Sequence, residues 1–123
     1  MKFRVARHTI DLKRIIHFYK NLLGLNVLGE FKNHAGYDGV FLGFQNVNWH
    51  LEFTVSKDLP QHKPDEDDLL VFYLKSIEEY ESLKAIFRNN NISEVEPKNP
   101  YWQANGTLYL DPDGYGVILT ISK

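Results

Sequence analysis

The order in which strand and helix signals follow one another limits this chain most, because it occurs twice. Near the start, Phe3 and Val5 alternate with polar neighbours, so residues 3–9 read as a short strand. Asp11 stands where a helix N-cap belongs. Leu12, Ile15, Ile16, Tyr19, Leu22 and Leu23 then recur at helical spacing, and Gly24 supplies a left-handed stop. Strand-like runs follow at 26–31, 39–44 and 47–55, the first two separated by turn residues that include Gly36, Asp38 and Gly39. The third run is the clearest. Val47, Trp49, Leu51, Phe53 and Val55 form an apolar face, and Asn48, His50, Glu52 and Thr54 a polar one.

Residues 56–68, SKDLPQHKPDEDD, hold two prolines, seven charges and no apolar period, which reads as a connecting stretch with a solvated charge run. Beyond it the order repeats. Leu69–Leu74 is a nearly continuous apolar strand, and Ser76 with Glu79 forms a capping box. Ile77, Tyr80, Leu83 and Phe87 mark one face of a helix that ends near Asn89 to Asn91. Short strands are expected at 93–96, Thr107–Leu110 and 115–121. Asp111-Pro112-Asp113-Gly114 joins the last two as a tight hairpin, Pro112 pre-setting φ and Gly114 taking the position that needs φ > 0. The expected fold is therefore α+β, two βαβββ modules in a single domain: module one at 1–56, a linker at 57–68 and module two at 69–123. Two such halves place helices on the outside of curved mixed sheets and leave the other sheet faces as the walls of a cleft.

Composition narrows the function. A formal net charge of −2 with no Lys/Arg-rich stretch argues against nucleic acid as a partner. The absence of Cys excludes disulfides, thiolate metal sites and cysteine nucleophiles. No apolar run approaches membrane-spanning length and no secretory signal opens the chain, so the expectation is a cytoplasmic protein with no membrane partner. There is no nucleophile elbow, phosphate loop or H-E-x-x-H. The aromatic content of 14% either fills a small core or lines a ligand cleft.

Thr9-Ile10-Asp11-Leu12, Phe18-Tyr19, Leu22-Leu23-Gly24-Leu25, His50-Leu51-Glu52-Phe53 and Asp111-Pro112-Asp113-Gly114-Tyr115 follow one another in an order that resembles the vicinal oxygen chelate superfamily. That superfamily includes glyoxalase I, bleomycin-resistance proteins, fosfomycin-resistance enzymes and extradiol dioxygenases. The resemblance covers the whole chain and implies the glyoxalase-like fold. It further implies that a divalent metal, where members use one, is held by four His, Glu or Gln side chains from the first and last strands of each module. Carried across by position, these places fall on Arg4, Glu52, Leu69 and Ile118. Only Glu52 offers a donor. Arg stays protonated without a lone pair, and Leu and Ile have none, so no metal and no other cofactor is expected.

In the sheet that the resemblance implies, Arg4 faces Glu52. Either the guanidinium neutralises a vacated metal site as an internal salt bridge, or it also keeps donors free for an anionic or carbonyl-bearing ligand. His50 lies on the strand face of Glu52 and is a ligand contact, an acid or base, or a hydrogen-bonded rim residue. His8 falls near Ser56 rather than near His50, which argues against a His8–His50–Glu52 metal triad. Leu69, Val71, Tyr73, Ile118 and Thr120 form an apolar wall in module two. Trp102, expected in a loop at 97–106, either caps the cleft or pins the loop to the core. The ligand-binding candidates are thus Arg4, His50, Glu52, Leu69, Tyr73, Trp102 and Ile118, with no catalytic residue assigned. The leading expectation is a metal-independent small-molecule-binding protein of glyoxalase or bleomycin-resistance type. The alternatives are a lyase, isomerase or dioxygenase of the same superfamily with a displaced or metal-free site, and a dimerisation module with a filled cleft. The resemblance also implies a homodimer.

Overall fold

The computed structural model describes residues 1–121. They form two compact units that part between His62 and Lys63.

In the first unit, β1 (Phe3–His8) leads to a helical segment capped by Asp11, whose side chain accepts from the Lys13 N–H at 2.9 Å. The segment begins as α1 (Leu12–Ile16) and widens into π-helix over His17–Leu22. The Leu23 N–H reaches back five residues to the Phe18 carbonyl at 3.0 Å. This wider turn rotates Phe18 inward beside Ile15, Tyr19 and Leu22, whereas the regular helical stripe left Phe18 out. Gly24, at φ +96°, ends the segment as expected. Strands β2 (Asn26–His34), β3 (Tyr37–Gly43) and β4 (Trp49–Val55) complete a sheet of order β1-β4-β3-β2. β1 and β4 run parallel and the other pairs antiparallel. The β2–β3 turn sits at Ala35 and Gly36, both at positive φ, so Asp38 and Gly39 belong to β3 rather than to the turn.

Alternation decides which face of this sheet is covered. Val40, Leu42, Leu51 and Phe53 point towards the helix and are buried, and Phe53 stacks on Tyr19 with ring centroids 5.2 Å apart. The even-numbered residues of β1 and β4 share the opposite face with the odd-numbered residues of β3.

The second unit holds β5 (Leu69–Leu74), α2 (Ile77–Asn89), α3 (Pro100–Asn105), β6 (Thr107–Leu110) and β7 (Gly116–Ile121). Its sheet has the order β5-β7-β6, with β5 parallel to β7 and β6 antiparallel to it. Ser76 caps α2 by accepting from the Glu79 N–H at 3.1 Å. Phe87 of α2 stacks on Tyr109 at 4.4 Å over the buried Val117 and Leu119. Burial pushes the Tyr109 hydroxyl up to about 12.

Two expectations need correction here. The strand at 93–96 is reduced to one bridge, Val95 to Leu108. Asn91 at φ +62° turns the chain out of α2 too close to this run for it to align with β6 over more than one residue. The loop at 97–106 contains α3, because the Asn99 side chain caps the Tyr101 N–H at 3.0 Å and Pro100 is pre-set for a first helical turn.

The connecting stretch is divided between the units. His8 Nε2 donates to the Asp58 carbonyl at 2.8 Å, and His62 Nε2 to the His8 carbonyl at 2.7 Å. Further on, the Asp68 carbonyl accepts from the Gly116 N–H at 3.3 Å. No helix among the described residues is long and apolar enough to cross a membrane.

Candidate functional site

Parallel pairing sets Arg4 of β1 opposite His50 of β4, with Glu52 two residues further along β4 on the same face. The Arg4 side chain spans both. Its Nε donates to His50 Nε2 at 3.0 Å, and its Nη1 to Glu52 Oε1 at 3.2 Å. The Arg4 side chain remains 49% exposed while that of Glu52 is 14% exposed, so the anion is sheltered and the cation looks outward. Nη2 makes no hydrogen bond among the described residues, which leaves its donors free.

The Arg4–His50 bond fixes the imidazole. An arginine only donates, so Nε2 must be the unprotonated ring nitrogen and the proton sits on Nδ1. His50 is buried, and its pKa lies below the usual histidine value. Burial is the main cause, the positive charges of Arg4 and Lys2 add to it, and Glu52 opposes it. His50 is therefore a neutral acceptor that aims the guanidinium. Its basic lone pair is already engaged.

A floor of rings supports the pair, and sequence reading missed it. Phe41 of β3 pairs with Glu52 across the antiparallel ladder and so shares the site face. The Arg4 guanidinium lies 4.9 Å from the Phe41 ring centroid, a cation–π contact, and His50 meets the same ring edge-on at 5.6 Å. Phe31 of β2 continues the floor 5.7 Å from Phe41. It lies across Gly39, where an added Cβ would come 2.3 Å from Phe31 Cζ. The signal was available, since Phe41 alternates with Val40 and Leu42, but its face depends on the strand register.

His8 shares the face but stands apart from Arg4. Its Nδ1 meets Thr54 Oγ1 at 3.1 Å, and Ser56 Oγ lies 3.2 Å from Nε2. Because Nε2 donates to the Asp58 carbonyl, it holds no lone pair to activate Ser56. These contacts fasten the chain after β4, and His8 takes no part in the Arg4 group.

In the second unit the corresponding residues form a different surface. Leu69 pairs with Gly116, and Ile118 lies two residues further along β7, the same stagger that relates Arg4 to His50 and Glu52. Ile118 is fully buried and packs beside Gly106, where an added Cβ would come 2.8 Å from its Cγ2. Leu69 is half-buried and Tyr73 is 63% exposed. Trp102 lies in α3, half-buried, edge-on to Tyr101 at 4.8 Å and close to Gly106. In this unit it packs against its own helix and the turn into β6.

The side chains at the four carried-over positions do not fit a catalytic metal. A cation beside Glu52 would meet the guanidinium already 3.2 Å from that carboxylate. The His50 lone pair is committed to Arg4, and Leu69 and Ile118 carry no donor. No group of three or more His, Cys, Asp or Glu among the described residues could hold a metal.

Two family models match successive parts of the chain. The YycE-like N-terminal domain matches residues 3–54, and the YycE-like C-terminal domain matches residues 67–120. The chain is 39% identical over 123 residues to the uncharacterized protein YycE of Bacillus subtilis, covering 99% of this chain and 88% of that protein. The crystal structure of a Bacillus subtilis YycE protein of unknown function superposes with a TM-score of 0.89 at 39% identity, over 99% of this chain and 90% of that one. Two more distant structures share the fold. Leishmania major glyoxalase I has a TM-score of 0.74 at 24% identity, covering 96% and 84% of the two chains. The fosfomycin resistance protein FosX of Mesorhizobium loti has a TM-score of 0.71 at 8% identity, covering 98% and 90%. With both halves matched in order, the chain belongs to the YycE-like family and has the glyoxalase-type fold of the vicinal oxygen chelate superfamily.

Proposed function

We propose that this protein binds a small molecule without a catalytic metal, and that its ligand is a flat, partly apolar anion or carbonyl compound held on the open face of the first sheet. One observation carries the reading. Arg4 is fixed by His50 and Glu52, stacked on Phe41, half-exposed, and left with donors on Nη2. A guanidinium oriented in this way is pre-organised to pair with a carboxylate or carbonyl oxygen. The Phe31 and Phe41 rings offer an adjacent surface for an aromatic body. The engaged lone pair of His50 favours binding over acid–base catalysis at this face.

The test is calorimetric titration with benzoate, phenylphosphonate and their neutral amide analogues. The anions are expected to bind and the amides to bind more weakly. Loss of a charge-assisted hydrogen bond is worth ~1.5–3 kcal/mol, so Arg4→Ala should weaken anion binding by about tenfold or more. Arg4→Lys, which keeps the charge and loses the planar fork, should also bind more weakly than the parent. Equal affinity for anion and amide, or anion binding unchanged in both folded variants, would sink the reading.

A further inference from the structure

Asn105 is the only Asn in the chain that is followed by Gly; every other Asn precedes a bulkier residue or proline. The structure requires both members of the Asn105-Gly106 pair. Gly106 lies at the turn from α3 into β6. An added Cβ there would come 2.8 Å from Ile118 Cγ2 and 3.2 Å from both the Leu119 carbonyl oxygen and Trp102 Cε3. A side chain at 106 would therefore push α3 off β7. Asn105 fastens the last turn of α3. Its Nδ2 donates to the Tyr101 carbonyl at 2.8 Å. Its backbone carbonyl, one of those that a helix end leaves without an intrahelical partner, accepts from Thr120 Oγ1 of β7 at 2.6 Å.

This pair is chemically labile. With no side chain on the second residue, the Gly106 nitrogen meets little hindrance in attacking the Asn105 side-chain amide. The attack forms a bond from that nitrogen to Asn105 Cγ. The nitrogen's proton and the side-chain NH2 leave together as ammonia. Water then opens the cyclic imide at either carbonyl and leaves aspartate or isoaspartate at 105. Native geometry opposes the first step. Helical backbone at Asn105 turns the Gly106 nitrogen away from Cγ, and the Gly106 N–H is committed to the Trp102 carbonyl at 3.0 Å. That guard is weak, since α3 has six residues and none of them is fully buried. Helices this short have little stability of their own, and such segments open locally before the rest of a fold.

We propose that Asn105-Gly106 is a self-modification site governed by α3: when α3 opens, Asn105 deamidates, and the product no longer lets α3 close on β7. In the aspartyl product a carboxylate replaces the amide and cannot donate to the Tyr101 carbonyl. It also places a negative charge at a helix C-terminus, the end where the backbone dipole is already negative. In the isoaspartyl product the chain runs through the former side-chain carbon, so the backbone is lengthened there. The bonds to Thr120 and Trp102 then lose their present register. The site lies within the second unit and does not depend on the function proposed for the Arg4 face.

The experiment is peptide mapping by mass spectrometry of the full chain, held in mildly alkaline buffer either folded or in guanidinium chloride, with digestion at acid pH. Conversion of amide to carboxylate is expected at Asn105, resolved into aspartyl and isoaspartyl products. The folded chain should react more slowly than the unfolded one by about tenfold or more, a ratio set by the opening of α3. Asn99→Ala removes the side chain that accepts from the Tyr101 N–H at 3.0 Å and should speed the folded reaction about fivefold. Asn99→Asp keeps an acceptor and should react near the parent rate. Asn99 is exposed, so both variants retain the core, and the parent alone decides the matter if either fails to fold. Hydrogen exchange over residues 99–106 should be faster in the modified chain. No conversion at Asn105 in the folded chain, equal rates folded and unfolded, no acceleration in Asn99→Ala, or unchanged exchange after modification would each overturn the proposal.

Discussion

His50 shows how much one hydrogen bond decides. On the strand pattern alone it was a contact, an acid or base, or a rim residue. Once Arg4 Nε donates to it at 3.0 Å, it is a neutral acceptor with its proton on Nδ1. Its pKa is lowered mainly by burial, with Arg4 and Lys2 adding to the effect and Glu52 opposing it. The unfolded chain therefore takes up this proton more readily than the folded one. The stability gained from a neutral His50 is fully present above the ordinary histidine pKa of about 6.5 and is lost as pH falls towards the lower folded value. Urea unfolding between pH 7.5 and 5 should show this loss. His50→Gln, which keeps an acceptor for Arg4 but does not titrate, should flatten that part of the profile. An unchanged slope in the variant would assign the acid sensitivity elsewhere. The Arg4–Glu52 ion pair was legible, because strand alternation and the resemblance put both residues on one face, but Arg4 faces His50 rather than Glu52 in the register and reaches the carboxylate diagonally. The Phe41 floor was not legible, because it depends on the β3–β4 register, which sequence does not state.

At the scale of elements, local chemistry was legible wherever a single residue type dictates a backbone conformation. The Asp11 and Ser76 caps, the Gly24 stop and the Asp111–Gly114 hairpin all formed. In the hairpin, Asp111 Oδ1 accepts from the N–H groups of both Asp113 and Tyr115, at 2.9 and 3.0 Å, while Asp111 is only 5% exposed. Asp111→Ala leaves two part-buried donors without this acceptor and should cost about 2 kcal/mol in urea unfolding. Asp111→Asn, which retains one carbonyl oxygen, should cost less. Similar losses for both variants would mean that the turn bonds contribute little. The elements that escaped sequence reading are those decided by neighbours. The π-helical turn depends on packing Phe18 inward, and 93–96 fails as a strand for want of alignment with β6. The helix α3 is too short to show a period and is betrayed only by Asn99 and Pro100.

Across the whole molecule, two units of related element order carry corresponding sheet faces that differ in chemistry. Arg4, His50 and Glu52 mark the first, and Leu69, Gly116 and Ile118 the second. Neither set fits the coordination of a divalent transition metal. Titration of metal-stripped protein with Ni, Mn, Fe(II) and Zn should accordingly detect nothing tighter than roughly millimolar, a binding free energy no stronger than about −4 kcal/mol. Micromolar binding that Glu52→Ala abolishes would overturn that assignment of the site.

Sequence alone determined the α+β class, the doubled module order, the superfamily and the identity of the side chains at the carried-over positions. The class and the module order follow from short-range rules, in which hydrophobic period, caps and turn residues act within a few positions along the chain, whereas the superfamily and the carried-over positions follow from the resemblance of its motifs. Tertiary structure alone decided what those side chains do. Which tautomer His50 holds, which ring lies beneath Arg4, and whether Ile118 is open or buried depend on contacts between strands, such as Arg4 with His50 46 residues away, and their register is set by packing.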